Sequence, residues 1–236
     1  MTEKIFTFWE GPMPEYIKLC LETWKFPFTI LTYNNLKQYT DYDVKRAKSF
    51  TLPIQADVVR VHVLRDQGGY WLDADTIMLT DHLPDADILG NLWEGTNNIG
   101  YLRSEKHSPM FDAWAEYQDD IIKGHGHAGK EVISRWSILG NDFTDSYLAR
   151  HNDVKIGSIQ PCFPEVYKIN GEASRHNKYI EFYFNQKFQL SDIKKADMLM
   201  LHNSWTPEWY KLFTKDQVLS YDCTLSNILR EVGVSE

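Results

Sequence analysis

Hydrophobic and polar residues alternate in blocks along the first part of the chain, and the spacing inside each block predicts a strand or a helix. Residues 4–10 (KIFTFWE) are rich in apolar and aromatic residues and predict a first strand, which ends at the Gly-Pro pair that follows. Residues 14–25 carry apolar side chains at helical spacing, and residues 28–33 (FTILTY) predict a second strand. Two strands joined by such a helix are expected to pair side by side through a right-handed crossover.

The most apolar block is residues 52–67, where hydrophobic side chains lie nearly all round the helix that they predict. A helix of this kind is expected to be buried. Thr51 is placed to cap its first turn and Gly68 to stop it. Residues 70–73 (YWLD) and 76–79 (TIML) then predict two strand pieces, with a pair of aspartates between them.

The remaining elements are spaced more widely. The pattern predicts a strand at 98–103, a helix at 108–123, two short helices within 130–149, a buried strand at 196–202 and a terminal helix at 224–232. Strands and helices alternate in the first half of the chain and mix in the second, and no repeat or linker interrupts them. The sequence therefore predicts one domain of the α/β class.

Two stretches have more than one interpretation. Residues 179–188 (YIEFYFNQKF) alternate aromatic and polar residues, which predicts an amphipathic strand; a patch that faces a lipid-linked acceptor is the alternative. Residues 124–130 (GHGHAGK) contain His125 and His127, two possible metal ligands. Without a third ligand nearby, these histidines indicate a mobile loop rather than a metal site.

Composition and charge narrow the functional classes. The 236 residues carry 25 Lys and Arg against 33 Asp and Glu, a net charge of −8, which argues against broad nucleic-acid binding. The three cysteines, Cys20, Cys162 and Cys223, are far apart and fit a reducing cytosol better than a disulfide framework or a zinc site. No signal peptide is evident, and no run approaches the roughly 20 apolar residues of a membrane helix, so any membrane contact is expected to be peripheral.

Asp73 and Asp75 are the first candidates for chemistry. In an extended segment their side chains point to the same side, and two carboxylates so close together tend to recruit a cation. Oxygen ligands without Cys or His favour Mg²⁺ or Mn²⁺, which commonly also bind phosphate oxygens of a substrate. A diphosphate held by metal at the carboxyl end of a strand is the functional interpretation. A pair of solvated turn carboxylates is the structural alternative.

The preceding helix carries a second pair of charged residues. Asp57 and Arg60 lie three residues apart, hence on one helix face, within an otherwise apolar segment. Burying such a pair costs desolvation energy unless the charges are satisfied or used. Either this is an internal structural ion pair, or it lines a pocket that Asp73 and Asp75 close.

These elements together carry a resemblance. Residues 55–79 (QADVVRVHVLRDQGGYWLDADTIML) resemble the signature block of glycosyltransferase family 32, the DXD-containing sugar-binding enzymes. That family includes capsular polysaccharide synthesis proteins and is related to the catalytic domains of glucosylating toxins. The resemblance implies a GT-A fold, with a Rossmann-like nucleotide-binding half and a mixed central sheet in about residues 1–105. It implies a smaller α+β acceptor half with a C-terminal lid in about residues 106–236.

The resemblance also implies an activity and roles for residues. The reaction would use a UDP-sugar donor and Mn²⁺ or Mg²⁺, and it would retain the anomeric configuration. Asp75 would ligate the metal, and Asp73 would contact the donor ribose or sugar, with a metal-bound water as one route. Asp57 and Arg60 would bind the sugar hydroxyls. These four residues are the predicted catalytic set.

Two further segments extend the resemblance. Residues 5–25 resemble the opening strand of the family, in which Trp9 would stack on the uracil of the donor, with its neighbour Phe8 as the second choice. Residues 198–209 (MLMLHNSWTPEW) resemble the closing segment of the family.

In that closing segment, His202 would complete the metal shell beside Asp75. Ser204 and Trp205 would lie on the lid and donate hydrogen bonds to the phosphates. On the acceptor side, residues 137–143 (SILGNDF) are placed where the family has a helix start. Asn141 and Asp142 are either acceptor contacts or an ordinary helix cap.

The predicted function is transfer of a hexose (galactose, glucose or an N-acetylated form) to a saccharide acceptor, including a lipid-linked one, in capsular or exopolysaccharide assembly. The predicted location is the cytoplasm, with peripheral contact at the inner face of the plasma membrane. One alternative is a non-catalytic protein that binds nucleotide sugars. Another is a phosphohydrolase of the haloacid dehalogenase type, whose Asp-x-Asp motif prefers Thr or Val where this chain has Ile77.

Overall fold

A computed structural model of the protein describes residues 4–90, 97–128, 137–157, 174–193 and 197–233. Within these residues the strands are β1 (Ile5–Phe8), β2 (Thr29–Leu31), β3 (Gly69–Leu72), β4 (Thr76–Met78), β5 (Ile88–Gly90), β6 (Asn97–Ser104), β7 (Ile156–Gly157) and β8 (Met198–Met200). The α-helices are α1 (Glu15–Glu22), α2 (Leu52–Gln67), α3 (Pro109–Ala128), α4 (Asn141–Leu148), α5 (Arg175–Ile180), α6 (Glu208–Lys211), α7 (Lys215–Ser220) and α8 (Thr224–Glu231).

The chain divides into two compact units. The first comprises Met1–Glu10, Pro27–Asp73 and Asp85–Gly157, and the second comprises Gly11–Phe26, Ala74–Pro84 and Ser158–Glu236. The units interleave along the sequence, whereas the predicted halves followed one another.

A six-stranded sheet forms the centre of the first unit, in the order β2-β1-β3-β6-β5-β7. Strand β1 pairs in parallel with β2 and β3, as the crossover pattern predicted, while β6 runs antiparallel to both β3 and β5. The predicted α/β class with a mixed central sheet is therefore confirmed. The carboxyl end of β3 leads directly into Asp73, whose backbone N–H donates to the carbonyl of Gly100 at 2.9 Å.

Helix α2 is buried against this sheet, as its apolar composition predicted. Ten of its sixteen residues are buried, including both members of the charged pair. The helix starts after Thr51 and ends at Gly68, which has a φ of 65° and donates its N–H to the carbonyl of Leu64 at 2.8 Å. Both predicted helix boundaries are thus confirmed, and the position of α2 fixes where its charged residues meet the end of β3.

The second unit contains a two-stranded antiparallel sheet and several helices. Strand β4 pairs with β8, so the second strand piece after the aspartates and the late buried strand are both confirmed. The indole Nε1 of Trp24 donates to the carbonyl of Thr76 at 2.8 Å and ties the segment after α1 to β4. Cys20 and Cys223 are free and buried, and Cys162 lies outside the described residues. No helix in the described part of the chain is long and apolar enough to cross a membrane.

Two local predictions are wrong. Residues 179–188 are not a strand: α5 continues into one π-helical turn, Glu181–Asn185. The aromatic residues Tyr179, Phe182 and Tyr183 follow helical i, i+3, i+4 spacing, and all three are buried. Residues 124–128 are not a loop, because α3 extends to Ala128. The two glycines of this segment, Gly124 and Gly126, each cost a helix only about 1 kcal/mol, too little to end a long helix that packs on α2.

Gly69 is the position where the sheet demands glycine. Its φ is 99°, and a Cβ there would collide with the carbonyl oxygen of Lys4, which accepts the ladder hydrogen bond from Tyr70 at 2.8 Å. We expect Gly69→Ala to lower the free energy of unfolding by about 3 kcal/mol or more, because it combines backbone strain with a clash between strands. Urea unfolding followed by circular dichroism measures the change.

The matched control is Gly11→Ala. Gly11 also has a positive φ, 82°, but an added Cβ would meet no atom of the described residues within 4 Å. This variant carries the backbone strain alone and is expected to lose about 1 kcal/mol. Equal losses in free energy of unfolding in the two variants would show that the close approach of β1 to β3 is not what requires glycine at position 69.

Candidate functional site

Arg60 lies at the centre of a buried charge network in the first unit. Its Nη2 is 3.2 Å from Oδ1 of Asp57 and 3.1 Å from Oδ1 of Asp73, and its Nη1 donates to the carbonyl of Ile99. Asp57 and Arg60 are 5% and 4% exposed. The predicted helix pair is therefore an internal ion pair, and it is also joined to the first aspartate of the Asp-x-Asp motif.

Asp73 connects this network to solvent. Its side chain is 37% exposed, whereas those of the two α2 residues are 5–8% exposed. Its Oδ1 also accepts the indole N–H of Trp71 at 2.8 Å, and the guanidinium of Arg60 lies 5.2 Å from the centre of the Trp71 ring. Sequence reasoning did not single out Trp71. The available signal was its i, i+2 relation to Asp73, which places two side chains on one face of an extended segment.

The carboxyl group of Asp57 is the most perturbed acid of the network. Burial raises its pKa to about 7, the charge of Arg60 opposes that rise and the charge of Asp73 adds to it. The turn before α4 lies against the same carboxyl, since a Cβ on Gly140 would be 3.0 Å from Oδ2 of Asp57. Glycine at this position lets the turn approach the acid, and the contact helps to exclude water from it.

Asn141 and Asp142 lie at the start of α4, as predicted. Asn141 is buried, and its Nδ2 donates to the carbonyl of Asn97 in β6, so its side chain anchors the helix start. Asp142 is half-buried, and its backbone N–H donates to the carbonyl of Ser137 at 3.0 Å. Both residues directly follow Gly140, the glycine that approaches the Asp57 carboxyl. Their role toward an acceptor stays a prediction.

The predicted base-stacking residues lie at the end of β1, where Phe8 is the last residue of the strand and Trp9 follows it. Phe8 is buried, with its ring edge-on to Tyr33 at 5.4 Å between centroids. Trp9 is half-buried and its backbone N–H donates to the carbonyl of Leu31. Within the described residues, the buried indole Nε1 of Trp9 has no hydrogen-bond partner. Of the two residues, Trp9 is therefore the one whose ring is partly exposed.

Asp75 is held by the second unit, because the division between the units falls after Asp73. Its Oδ2 accepts the backbone N–H of Asn203 at 2.8 Å, and its carbonyl accepts the N–H of Leu201 at 3.0 Å. The side-chain oxygen of Asn203 in turn accepts the hydroxyl of Tyr16, whose pKa burial raises far above its usual range. Sequence reasoning missed Asn203 and Tyr16, which are 187 positions apart.

The other residues predicted for the closing segment, His202, Ser204 and Trp205, flank Asn203 in the sequence. The ring of His202 is half-buried, 4.2 Å from the ring of Trp205 and 5.8 Å from that of Tyr179. Ser204 is exposed. The structure thus brings Asp75 to the segment 201–203, and Trp205 is packed on aromatic neighbours while Ser204 faces solvent.

The residues present fit part of the shell of a hard divalent cation. Mg²⁺ commonly takes one or two carboxylates and completes its shell with waters and substrate phosphates. Within the part of the chain that the structure describes, no three His, Cys, Asp or Glu side chains are grouped to hold a metal. The described residues therefore show no closed structural metal site, and a metal bound by Asp75 or Asp73 stays a prediction.

Comparisons with known proteins give one clear match. The family model described as capsular polysaccharide synthesis protein matches residues 1–154. No curated protein matches the chain. Among solved structures, "PaToxG Glycosyltransferase" has a TM-score of 0.46 and 12% identity and covers 64% of this chain and 70% of its own. The apo-form glycosyltransferase GlyE of Streptococcus pneumoniae TIGR4 has a TM-score of 0.45 and 10% identity. The match covers 92% of this chain and 61% of the GlyE chain. Similarity at that level carries no assignment of fold or activity.

Titration of Asp57 predicts how stability depends on pH. Folded Asp57 keeps its proton up to about pH 7, whereas the unfolded chain releases it near pH 4, so this group lowers stability as pH rises between those values. We expect Asp57→Asn, which cannot titrate, to lack that fall. Its free energy of unfolding relative to the natural protein should rise by about 4 kcal/mol from pH 4 to pH 7. Chemical unfolding in metal-free buffer at several pH values measures this.

Asp66→Asn is the control on the same helix. Although burial raises the pKa of Asp66, hydrogen bonds from Arg65 and Thr40 outweigh it and lower the pKa overall. Asp66 therefore adds stability that is lost only as pH falls below about 4. The difference in free energy of unfolding between Asp66→Asn and the natural protein should stay constant between pH 4 and pH 7. If the same difference also stayed constant for Asp57→Asn, Asp57 would not be a buried acid that is neutral over this range.

Proposed function

The chain belongs to the capsular polysaccharide synthesis protein family, and from this premise we propose that it is a glycosyltransferase. We propose that it moves a hexose from a UDP-sugar to a saccharide acceptor during capsular or exopolysaccharide assembly. The transferred hexose is galactose, glucose or an N-acetylated form of either. The GT-A fold and the narrower assignment to family 32 are part of this proposal.

The observation that carries the proposal is the network of Asp57, Arg60 and Asp73. Buried, hydrogen-bonded charges that end in one partly exposed carboxylate are suited to accept hydroxyl groups from a polar ligand in a fixed direction. A hexose or a ribose presents several such hydroxyls. We propose that Asp73 accepts from the donor ribose or sugar, while Asp57 and Arg60 bind and orient the sugar hydroxyls.

The uracil of the donor is assigned to Trp9. Its partly exposed ring supports stacking on a base. Phe8, the second choice, is buried and therefore less suited to stack on a base. Ser204 and Trp205 are proposed to close on the diphosphate, with the exposed serine hydroxyl donating to a phosphate oxygen.

A divalent metal, Mn²⁺ or Mg²⁺, would supply positive charge to the departing diphosphate when bound. Asp75 is the proposed principal ligand, with Asp73 and His202 as the other predicted ligands. The backbone N–H of Asn203 orients the Asp75 carboxylate by binding Oδ2 at 2.8 Å. Retention of the anomeric configuration is proposed from the family resemblance. We also propose transfer in the cytoplasm, with peripheral contact at the inner face of the membrane.

Calorimetric titration with UDP, with and without Mn²⁺, tests the proposal directly. We expect binding that depends on the metal, and slow release of UDP from a UDP-sugar in the absence of an acceptor. Absence of UDP binding under both conditions would refute the proposal. Metal-dependent binding without UDP release would favour a non-catalytic nucleotide-sugar-binding protein. Release of phosphate from a simple phosphomonoester, unaffected by UDP, would favour the phosphohydrolase.

Asp75→Asn should remove metal-dependent binding. The amide lacks the charge of the carboxylate but has nearly the same shape, so we expect UDP affinity with Mn²⁺ to fall at least 100-fold and UDP release to cease. Asp81→Asn is the control, because Asp81 is six positions along the chain and its side chain is 89% exposed. Full activity in Asp75→Asn would refute the metal assignment, and loss of activity in both variants would point to a nonspecific effect of charge.

A further inference from the structure

We propose that Trp71 is a positioning residue for Asp73: its buried indole N–H fixes the carboxylate so that the other oxygen, Oδ2, is presented to the donor. The proposal rests on the proposed function and deepens it, because it names a residue that acts on the donor only through another residue. Trp71 itself is 1% exposed and belongs to the core beneath the site.

Two donors converge on a single oxygen of Asp73. The indole Nε1 of Trp71 lies 2.8 Å from Oδ1, and Nη2 of Arg60 lies 3.1 Å from the same atom. The indole comes from β3 and the guanidinium from α2. Because both bind Oδ1, the hydrogen bonds define which carboxylate oxygen turns inward and which turns outward.

Arg60 alone would hold the carboxylate less well. Its Nη2 is shared between Asp57 and Asp73, at 3.2 Å and 3.1 Å. The terminal torsion of an aspartate is broad and roughly two-fold, so a single shared donor permits the two oxygens to exchange. The indole ring cannot follow such a rotation, because it is 1% exposed, belongs to the hydrophobic core and has the guanidinium 5.2 Å from its centre. Trp71 therefore supplies the directional constraint.

A purely structural interpretation gives the same contact a different consequence. A buried indole N–H needs an acceptor, and Asp73 could serve only to satisfy it. In that case the loss of the N–H would affect folding but not ligand affinity. If Trp71 positions Asp73, its loss must weaken donor binding, and it must do so only while Asp73 is present.

A double-mutant cycle separates the two roles. Trp71→Phe keeps an aromatic ring but removes the N–H, and Asp73→Ala removes the acceptor. With Mn²⁺ present, we expect Trp71→Phe to weaken binding of UDP-glucose or UDP-galactose about tenfold, as expected for one hydrogen bond to a charged group. In the Asp73→Ala background the same change should have no further effect on affinity. Additive losses would overturn the positioning role, and so would unchanged affinity in Trp71→Phe.

Trp114→Phe is the matched control. Trp114 is fully buried in the same unit, and its indole N–H donates to the carbonyl of Leu139 at 2.9 Å. This variant should lose a similar amount of stability while its affinity for the UDP-sugar stays unchanged. Equal weakening of donor binding by Trp114→Phe and Trp71→Phe would contradict a specific action through Asp73.

Nuclear magnetic resonance tests the hydrogen bond without any donor. The Nε1–H signal of Trp71 in ¹⁵N-labelled protein is assigned by its disappearance in Trp71→Phe, and Asp73→Ala should shift it toward the position of an unbonded indole. An unmoved signal would overturn the inference. Natural protein that binds no UDP-sugar would instead refute the proposed function, whereas normal binding together with an additive cycle would refute the positioning role alone.

Discussion

Burial of the Arg60 charge is the constraint on which the first unit depends. A guanidinium that is 4% exposed must find compensating charge and acceptors, or its desolvation would cost several kcal/mol. Its partners come from α2 itself, from the carbonyl of Ile99 in β6 and from Asp73 at the end of β3. A shift of any of these elements would leave a buried charge unpaired. The network therefore ties the antiparallel pairing of β3 and β6 to the position of α2, and it places a carboxylate at the strand end.

The same constraint shapes the chemistry. Two carboxylates around one guanidinium would leave an excess negative charge in a low-dielectric region, and burial relieves this by raising the pKa of Asp57 to about 7. Near neutral pH the inner acid is about half protonated, whereas the side chain of Asp73 is 37% exposed. Burial is the largest cause of the raised pKa of Asp57, with the charges of Arg60 and Asp73 acting in opposite directions. The network explains how a structural ion pair and a binding site can be one arrangement, since stabilising Arg60 also orients Asp73.

Sequence reasoning succeeded where the physics is local. Spacing of three residues placed Asp57 and Arg60 on one helix face, and short apolar runs predicted β3, β4 and β8. The resemblance to capsular polysaccharide synthesis proteins is confirmed by the family match. It failed where tertiary packing decided. Buried aromatic residues made residues 179–185 helical, and contact with α2 carried α3 past Gly124. Tyr16 and Asn203 could not be paired beforehand, because no local pattern connects positions so far apart.

The two aspartates of the motif are oriented by different kinds of group. Asp73 is held by side chains, the guanidinium of Arg60 and the indole of Trp71, so substitution of either can change its direction. Asp75 is held by a backbone N–H, which no substitution at Asn203 except proline removes. What can change is the path of the backbone, and the hydroxyl of the fully buried Tyr16 restrains it by binding the Asn203 side chain. The geometry at Asp75 therefore depends on packing around α1, and the geometry at Asp73 depends on the charge of α2.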